Sequence, residues 1–279
     1  MKYAHMIEPG KKVKLGKIST ESPSELVRED GEAAFTKLAD ELGTIQEELY
    51  AAGKHSVLII LQGMDTSGKD GAIRKVFSQV SPQGLRIESF KVPTEEDLAH
   101  DFLWRIHKAV PRRSMMTVFN RSHYEDVLVV RVNKLVSKKT WSQRYEQINE
   151  FEELLVENNT IILKFYLHIS KQEQEERLTA REQDIAKAWK LSAGDWKERE
   201  RWDDYIEAYQ DALQNCSTDV APWHVVPADQ KWLCNLAMAE AIVDALQPYR
   251  KDWQKALQRL SELRLAELAA YRQEQQIAG

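Results

Sequence analysis

The sequence has few cysteines, no long apolar run and no excess of positive charge. Its two cysteines, Cys216 and Cys234, show no metal-ligand spacing, which argues against a structural zinc site and a disulfide framework. We interpret them as buried thiols in a reducing cytosol. The N-terminal lysines lack the apolar segment of a signal peptide, and the apolar runs are too short for a bilayer span. These absences predict a soluble cytoplasmic protein without a membrane partner.

The balance of charge excludes a global attraction to polyanions. The 279 residues include 44 acidic and 39 basic side chains, which give a formal charge of −5. A polyanion would therefore have to bind a local basic patch, and nucleic acid is not an expected partner.

The order of apolar patterns predicts one α/β domain over residues 1–279. Residues 1–23 lack periodicity and are expected to form a loose arm that leads into an amphipathic helix around residues 35–49. Helical patterns between the strands predict an open, doubly wound parallel sheet flanked by helices. The apolar runs expected to be strands are Val57–Leu61, Ser114–Phe119, Thr160–Ile169 and Trp223–Val226, with a weaker candidate at Leu85–Phe90.

Two further helical segments flank the last strand. Residues 171–215 are rich in Arg, Lys, Glu and Trp and follow the pattern of two helices, an excursion that suits a lid. Residues 251–276 are predicted to form a C-terminal helix with Trp253, Leu257 and Leu260 on one face. We interpret this helix as packing on its own domain, and a contact between subunits is the alternative.

The strongest local signal is GMDTSGK at residues 63–69, between the first strand and a helical pattern. This is the P-loop arrangement in its confirming context, and a plain glycine-containing turn is the alternative. Its backbone N–H groups can turn toward phosphate oxygens, and Lys69 can reach the bridging and terminal phosphates. Asp70 replaces the usual hydroxyl-bearing magnesium ligand, so a metal must be bound differently. The residues predicted to contact phosphate are Gly63, Met64, Thr66, Ser67, Gly68, Lys69 and Asp70.

A second group of polar residues follows the predicted strand Ser114–Phe119. Asn120 stands where P-loop enzymes place an acidic residue, and the carboxylates come later, at Glu125 and Asp126. Because open α/β sheets bind ligands at the carboxyl ends of their strands, we expect this segment, including Arg121, to join the P-loop. Asp65 and Asp126 are the candidate metal ligands. The alternative for Asp126 is an acid favoured at a helix N-terminus by the helix dipole.

Basic residues cluster before and after this strand. Residues 102–121 contain no acidic side chain, and a polyanion could lie along such a run. Two basic residues after the P-loop extend the charge, and a solvated basic face is the alternative. The predicted polyanion-binding groove consists of Arg74, Lys75, Lys108, Arg112 and Arg113.

The predicted lid places Arg177 and Arg181 four residues apart, on one helical face where like charges repel each other. An anion between them would relieve that repulsion, and lid arginines commonly neutralise a transferring phosphoryl group. Pairing of Arg177 with Glu173 is the plainer alternative. Further along, Lys187 and Lys190 stand among aromatic residues and are predicted to bind nucleotide.

Four blocks of the sequence together resemble the type 2 polyphosphate kinase family. They are GMDTSGKDG at 63–71, NRSHYEDVLVVRV at 120–132, RLTAR followed by KAWKLSAGDW at 177–196, and APWHVVPADQKW at 221–232. The similarity spans residues 50–246. It implies a thymidylate-kinase-like P-loop fold with a helical lid and dependence on Mg²⁺, with Mn²⁺ as the substitute. It also implies reversible phosphate transfer between inorganic polyphosphate and the nucleotides AMP, ADP and ATP.

The resemblance also implies roles for single residues. Many members have DRSWYN where this chain has NRSHYE, a departure that shifts the role of the strand-end carboxylate to Asp126. The variant is similar to the subgroup called class III, which is associated with phosphorylation of both AMP and ADP. The residues expected to act in the reaction are Asp65, Lys69, Arg121, Asp126, Arg177 and Arg181. Those expected to bind nucleotide are Asn120, Arg121, Glu125, Lys187 and Lys190.

Three functions are compatible with these residues. The resemblance favours polyphosphate-dependent phosphate transfer to AMP and ADP, without a covalent enzyme intermediate. An ATP-dependent nucleotide or small-molecule kinase is the alternative that the P-loop alone would permit. A non-enzymatic polyanion-binding protein is disfavoured because Asp65, Lys69 and both lid arginines are intact. We expect the protein to form a homodimer or homotetramer.

Overall fold

A computed structural model describes residues 2–183 and 192–278. Its strands are β1 (His5–Met6), β2 (Ser56–Gly63), β3 (Leu85–Ser89), β4 (Met116–Asn120), β5 (Thr160–His168) and β6 (Trp223–Pro227). They form a six-stranded sheet in the order β1–β6–β5–β2–β4–β3. Strands β2 to β6 run parallel, and β1 pairs antiparallel with β6.

Helices cover both faces of this sheet. They are α1 (Arg28–Ala52), α2 (Lys69–Val76), α3 (Glu95–Leu98), α4 (Trp104–His107), α5 (Val129–Val132), α6 (Lys138–Glu157), α7 (Lys171–Glu182), α8 (Ala193–Glu200), α9 (Trp202–Cys216) and α10 (Lys231–Ala278). Helices α1, α2 and α10 share one core with Val57 and Ile59 of β2, whereas α6 and α9 share the other with Leu58 and Ile60. An unbroken apolar strand needs this cover on both faces. The predicted strands and the doubly wound α/β fold are confirmed.

The parallel strands determine where the two predicted site segments lie. In the pairing register, Leu61 of β2 is opposite Asn120 of β4, and Gly63 is opposite Leu167 of β5. The carboxyl ends of these strands therefore meet at one edge of the sheet. The segments after β2 and β4 leave that edge side by side, as the sequence predicted.

The N-terminal arm differs from the prediction. We expected residues 1–23 to be loose, but β1 extends the sheet beside β6, and Leu15 is fully buried. The backbone N–H of Leu15 donates to Gln210 Oε1 (2.9 Å), and Thr20 Oγ1 donates to Asp229 Oδ2 (2.6 Å). A two-residue strand and isolated apolar contacts have no period, so the sequence pattern did not reveal this packing.

The predicted lid contains a helix that belongs to the core. The described part of residues 171–215 forms the three helices α7, α8 and α9 in place of the two predicted. Trp202, Tyr205 and Tyr209 of α9 are buried in the same core as α6 and β5. Helix α9 is therefore a fixed part of the helical layer, and the lid can include only the chain that precedes it.

The C-terminal helix packs on its own domain over only part of its length. Trp253 is fully buried in the core to which α1 and β2 contribute, whereas Leu260 is 42% exposed and Leu265 is 63% exposed. The predicted apolar face is therefore buried at Trp253 and exposed at Leu260. Within residues 2–183 and 192–278, no helix combines the length and apolar character that a membrane span requires.

Candidate active site

The P-loop leaves β2 at the edge of the sheet and leads into α2. Gly63 has a φ of 159° and Gly68 a φ of 104°, values that L side chains rarely adopt. A Cβ on Gly63 would also lie 2.9 Å from the carbonyl oxygen of Leu167. Thr66 has a φ of 64°, a left-handed conformation that costs a residue with a side chain about 1–3 kcal/mol. The loop thus holds backbone strain where phosphate binding is predicted.

The side chain of Lys69 folds back onto the P-loop. Its Nζ donates to the carbonyl oxygens of Gly63 (2.7 Å) and Met64 (3.1 Å) and lies 3.4 Å from Ser67 Oγ. Burial, together with the nearby positive charge of Arg121, lowers the pKa of Lys69 to about 8. An anion beside this amine would raise that pKa again, because an opposite charge favours the protonated form.

Arg121 joins the P-loop to the turn after β4. It has a φ of 63°, and its backbone N–H donates to the carbonyl oxygen of Leu61 (3.0 Å). Its Nη2 lies 2.7 Å from Asp65 Oδ1, and its Nη1 lies 3.8 Å from Glu125 Oε2. Burial raises the pKa of the Glu125 carboxyl, against the opposing charges of Arg121 and Lys69. The two predicted segments therefore meet at one guanidinium.

A cavity of about 180 Å³ opens beside these groups. Its lining residues are Gly63, Met64, Asp65, Arg121, Glu125, Val129, Gln174, Glu198, Arg199, Tyr205 and Tyr209. Sequence reasoning assigned no role to Gln174 or to the two tyrosines. The spacing of Tyr205 and Tyr209 indicates a shared helix face, but a helical period does not reveal what that face covers.

A buried polar network holds the turn after β4 in place. Residues 123–126 form a short 3-10 helix, and Ser122 Oγ accepts from the backbone N–H of Tyr124 (3.2 Å). Tyr124 OH donates to Glu152 Oε1 (2.8 Å). Lys164 Nζ, fully buried in β5, donates to Tyr124 OH (2.9 Å) and Glu152 Oε2 (2.5 Å). The network anchors the turn to α6 and β5, so the neighbouring side chains have fixed directions.

The structure contradicts the position predicted for Asp126. Its Oδ1 lies 3.0 Å from Arg144 Nη1, its Oδ2 lies 4.0 Å from Arg105 Nη2, and it does not line the cavity. Glu125 lines the cavity instead. A 3-10 helix turns by about 120° per residue, so adjacent side chains project in different directions. Asp126 therefore does not line the cavity with Asp65, contrary to the position that we predicted from the sequence.

The two lid arginines have different surroundings. Arg177 donates to the carbonyl oxygens of Thr66 (3.0 Å) and Ser67 (3.1 Å) through Nη1. It also pairs with Glu173, at 2.7 Å, as the plainer alternative proposed. Arg181 pairs instead with Asp195 of α8, at 3.1 Å. The predicted arrangement of both guanidinium groups around one anion is therefore not present in the described part of the chain.

The basic residues before β4 also lie away from the P-loop, where we had predicted them to bind a polyanion. Arg112 and Arg113 precede this strand, so they lie near its amino end, on the opposite edge of the sheet from the P-loop. Arg113 lies near His55, and burial together with nearby charges that include Arg113 lowers the pKa of His55. Arg112 and Arg113 are close to Arg121 in the sequence, but β4 lies between them, so they are at opposite ends of this strand.

The other residues of the predicted groove also lie outside the cavity. Lys75 Nζ is 5.5 Å from the ring centroid of Phe35 in α1, and Arg74 is exposed on α2. Lys108 Nζ is 3.7 Å from the ring centroid of Trp104. These five basic residues therefore do not line the cavity beside the P-loop.

The residues predicted to bind nucleotide are only partly described. Asn120 Nδ2 donates to Asp70 Oδ1 (2.8 Å), which links the end of β4 to the start of α2. Arg121 and Glu125 line the cavity. Lys187 and Lys190 lie outside the described residues.

The carboxylates of the cavity fit the predicted Mg²⁺. In the described ranges, no three His, Cys, Asp or Glu side chains form a group that could hold a metal alone. Asp65 and Glu125 both line the cavity and both lie beside Arg121. Mg²⁺ is usually bound by one or two carboxylates together with substrate phosphates, and these two residues match that mode.

Comparisons with known proteins agree with the fold and with the family that the sequence resembles. A family model described as Polyphosphate kinase 2 (PPK2) matches residues 25–254. The chain is 50% identical to the AMP/ADP-polyphosphate phosphotransferase of Meiothermus ruber, over 77% of this chain and 80% of that one. It is 40% identical to the ADP-polyphosphate phosphotransferase of Rhodopseudomonas palustris, over 88% of this chain and 89% of that one. The crystal structure of polyphosphate kinase 2 from Arthrobacter aurescens TC1 superimposes with a TM-score of 0.82 at 43% identity, covering 87% of this chain and 91% of that one.

Proposed function

The chain belongs to the polyphosphate kinase 2 family, and we propose that it transfers phosphate reversibly between inorganic polyphosphate and AMP or ADP, with Mg²⁺. The observation that carries this proposal is the meeting of Arg121, Asp65 and Glu125 in one cavity beside the P-loop, with the buried amine of Lys69 folded onto the same loop. The names of the two relatives support the choice of substrates.

The P-loop would hold the terminal phosphates of polyphosphate. Lys69 supplies a positive charge, and Arg121 supplies a planar guanidinium that can bind two phosphate oxygens. The Thr66 hydroxyl is buried and has no hydrogen-bond partner in the described part of the chain, so it is free to donate to a further oxygen. These groups neutralise the charge that spreads over the phosphoryl group during transfer.

The transfer itself needs little general-base chemistry. An oxygen of the nucleotide's terminal phosphate forms a bond to the terminal phosphorus of polyphosphate, and the bond from that phosphorus to the next bridging oxygen breaks. Both oxygens are already acidic, so positioning and charge neutralisation account for most of the catalysis. Asp65 and Glu125 would hold Mg²⁺, which neutralises phosphate charge when bound.

The deciding experiment gives the enzyme AMP, polyphosphate and Mg²⁺ and follows the nucleotides by chromatography. We expect ADP to form first and ATP to follow. A second reaction replaces polyphosphate with ATP as the only donor, and a preparation of Lys69→Ala controls for contaminating kinases. Transfer from ATP but not from polyphosphate would make the protein an ATP-dependent kinase. No transfer from either donor would leave only binding of polyanions.

A further inference from the structure

Arg177 uses all of its hydrogen-bond donors within the protein. Its Nε donates to Glu173 (2.7 Å), and its Nη1 donates to the carbonyl oxygens of Thr66 (3.0 Å) and Ser67 (3.1 Å). Its Nη2 donates to the carbonyl oxygens of Ala228 (2.6 Å) and Asp229 (2.8 Å). A guanidinium has five N–H donors, and these five contacts occupy them. The side chain is 10% exposed, and it does not line the cavity.

The contacts with Thr66 and Ser67 orient the peptide groups of the P-loop. In a planar trans peptide, the carbonyl oxygen of one residue and the N–H of the next point in opposite directions. Because Arg177 draws the Ser67 carbonyl toward itself, the N–H of Gly68 points away from Arg177. Anion binding by a P-loop depends on N–H groups that converge in this way.

The same contacts support a strained segment. Thr66 has a φ of 64°, which a β-branched residue adopts only where the surroundings enforce it. Arg177 contacts the carbonyl groups of Thr66 and of the residue that follows it. The guanidinium is thus placed to keep this backbone conformation without a ligand.

The other half of the guanidinium ties the P-loop to a distant segment. Asp229 follows β6, and its Oδ1 accepts from the backbone N–H of Ser170 (2.7 Å) at the start of α7. Its Oδ2 accepts from Thr20 Oγ1 (2.6 Å), and its backbone N–H donates to the Thr20 carbonyl oxygen (3.1 Å). Arg177 is therefore a junction of the P-loop, α7, the end of β6 and the N-terminal arm.

We propose that Arg177 is a positioning residue, which fixes the P-loop backbone in its phosphate-binding form from outside the cavity and does not contact the transferred phosphate. The proposal rests on the proposed function only in naming phosphate as the ligand of the loop. Arg181, one turn further along α7, differs because its Nη1 pairs with the side chain of Asp195 and not with the P-loop backbone.

Hydrogen exchange of the ligand-free protein tests this proposal without any assay of activity. The amides to follow are those of Ser67, which donates to Met64, and of Ala228 and Asp229, which donate to His168 and Thr20. In Arg177→Ala we expect these amides to exchange at least about tenfold faster, while amides within α6 keep the rate of the natural protein. In Arg177→Lys we expect an intermediate increase, because an ammonium keeps the charge but cannot serve four carbonyl groups in one plane.

Two matched controls separate positioning from charge. Arg181→Ala removes the same side chain from the same helix and should leave the exchange of the P-loop amides unchanged. Arg28→Ala removes an arginine from an exposed pair with Glu32 on α1 and should change neither exchange nor turnover. If Arg177→Ala does not fold, the lysine variant decides the question in its place.

Kinetics then identify the consequence of a loosened loop. For Arg177→Lys we expect the KM for polyphosphate to rise by about tenfold or more, since the loop must be reordered by its ligand. Normal exchange of Ser67, Ala228 and Asp229 in the lysine variant would overturn the proposal, whatever the turnover. Faster exchange with no polyphosphate activity in the natural protein would sustain the positioning role and reject the proposed function.

Discussion

Two loops form the candidate site, and they differ in how far their chemistry can be predicted from the sequence. The P-loop after β2 and the turn after β4 leave the same edge of the sheet, and each has a residue with a side chain at positive φ, Thr66 and Arg121. In the proposed function, the P-loop binds phosphate through its backbone and one lysine, so its glycine spacing predicts its chemistry. The turn acts through side chains, whose directions depend on the buried Glu152 and Lys164. A backbone site can thus be predicted from local sequence, whereas a side-chain site depends on distant partners.

Removing the lysine of the P-loop should have the largest effect. We expect Lys69→Ala to fold and to lose at least about a hundredfold in turnover, the scale of one preorganised charge contact. Steady-state kinetics with polyphosphate and ADP measure the loss, and circular dichroism checks the fold. Near-normal turnover would show that the P-loop is not the centre of the reaction, and the comparison between the loops would fail.

Substitutions of the adjacent residues Glu125 and Asp126 should have different effects, because only Glu125 lines the cavity. We expect Glu125→Gln to lower turnover by about ten- to a hundredfold, because it removes a carboxylate beside the phosphates. Asp126→Asn should instead lower the free energy of unfolding by about 1–3 kcal/mol, since Arg144 and Arg105 lose a charged partner. Urea denaturation and kinetics of both variants measure the two quantities. The reverse result would restore our prediction from the sequence, in which Asp126 holds the metal.

The pKa of Lys69 predicts how polyphosphate binding responds to pH. The amine is charged below its pKa of about 8, so affinity should be highest at lower pH and should fall as pH rises through this value. From pH 7 to pH 9 the charged fraction falls about tenfold, and we expect a loss of similar size in kcat/KM at low polyphosphate. Lys69→Ala is the control, because it should lack this step. A flat profile in the natural protein would mean that the substrate does not depend on the charge of Lys69.

The smallest effect is expected at the opposite edge of the sheet. Arg112→Ala and Arg113→Ala should leave the KM for polyphosphate within about twofold, because their charges are far from the P-loop and are screened by salt. The measurement is the KM at low and at moderate ionic strength. A larger change would show that polyphosphate extends around the sheet to the amino end of β4, and the run of basic residues would regain its predicted role.

The sequence predicted the strands, the P-loop and the helical layers because each has a period or a fixed motif. It failed at Glu125 and Asp126, because the sequence does not show which of two adjacent carboxylates faces the cavity and which pairs with Arg144. It also failed for Arg177, because a spacing of four residues shows that two arginines share a face but not that one of them contacts backbone carbonyls. No feature of the sequence indicated that Tyr205 and Tyr209 line the cavity.

The short strand β1 also covers one edge of the sheet. A strand at the edge of a sheet offers unpaired backbone groups to any other extended chain, which is a route to aggregation. Here the N-terminal residues occupy the edge at β6, and the backbone N–H of Ile7 donates to the carbonyl oxygen of Trp223 (2.8 Å). The opposite edge, β3, is short and carries the charged pair Arg86 and Glu88. A tag or truncation at the N-terminus that pulls β1 away would therefore leave backbone groups of β6 unpaired, and we expect such a variant to aggregate more readily.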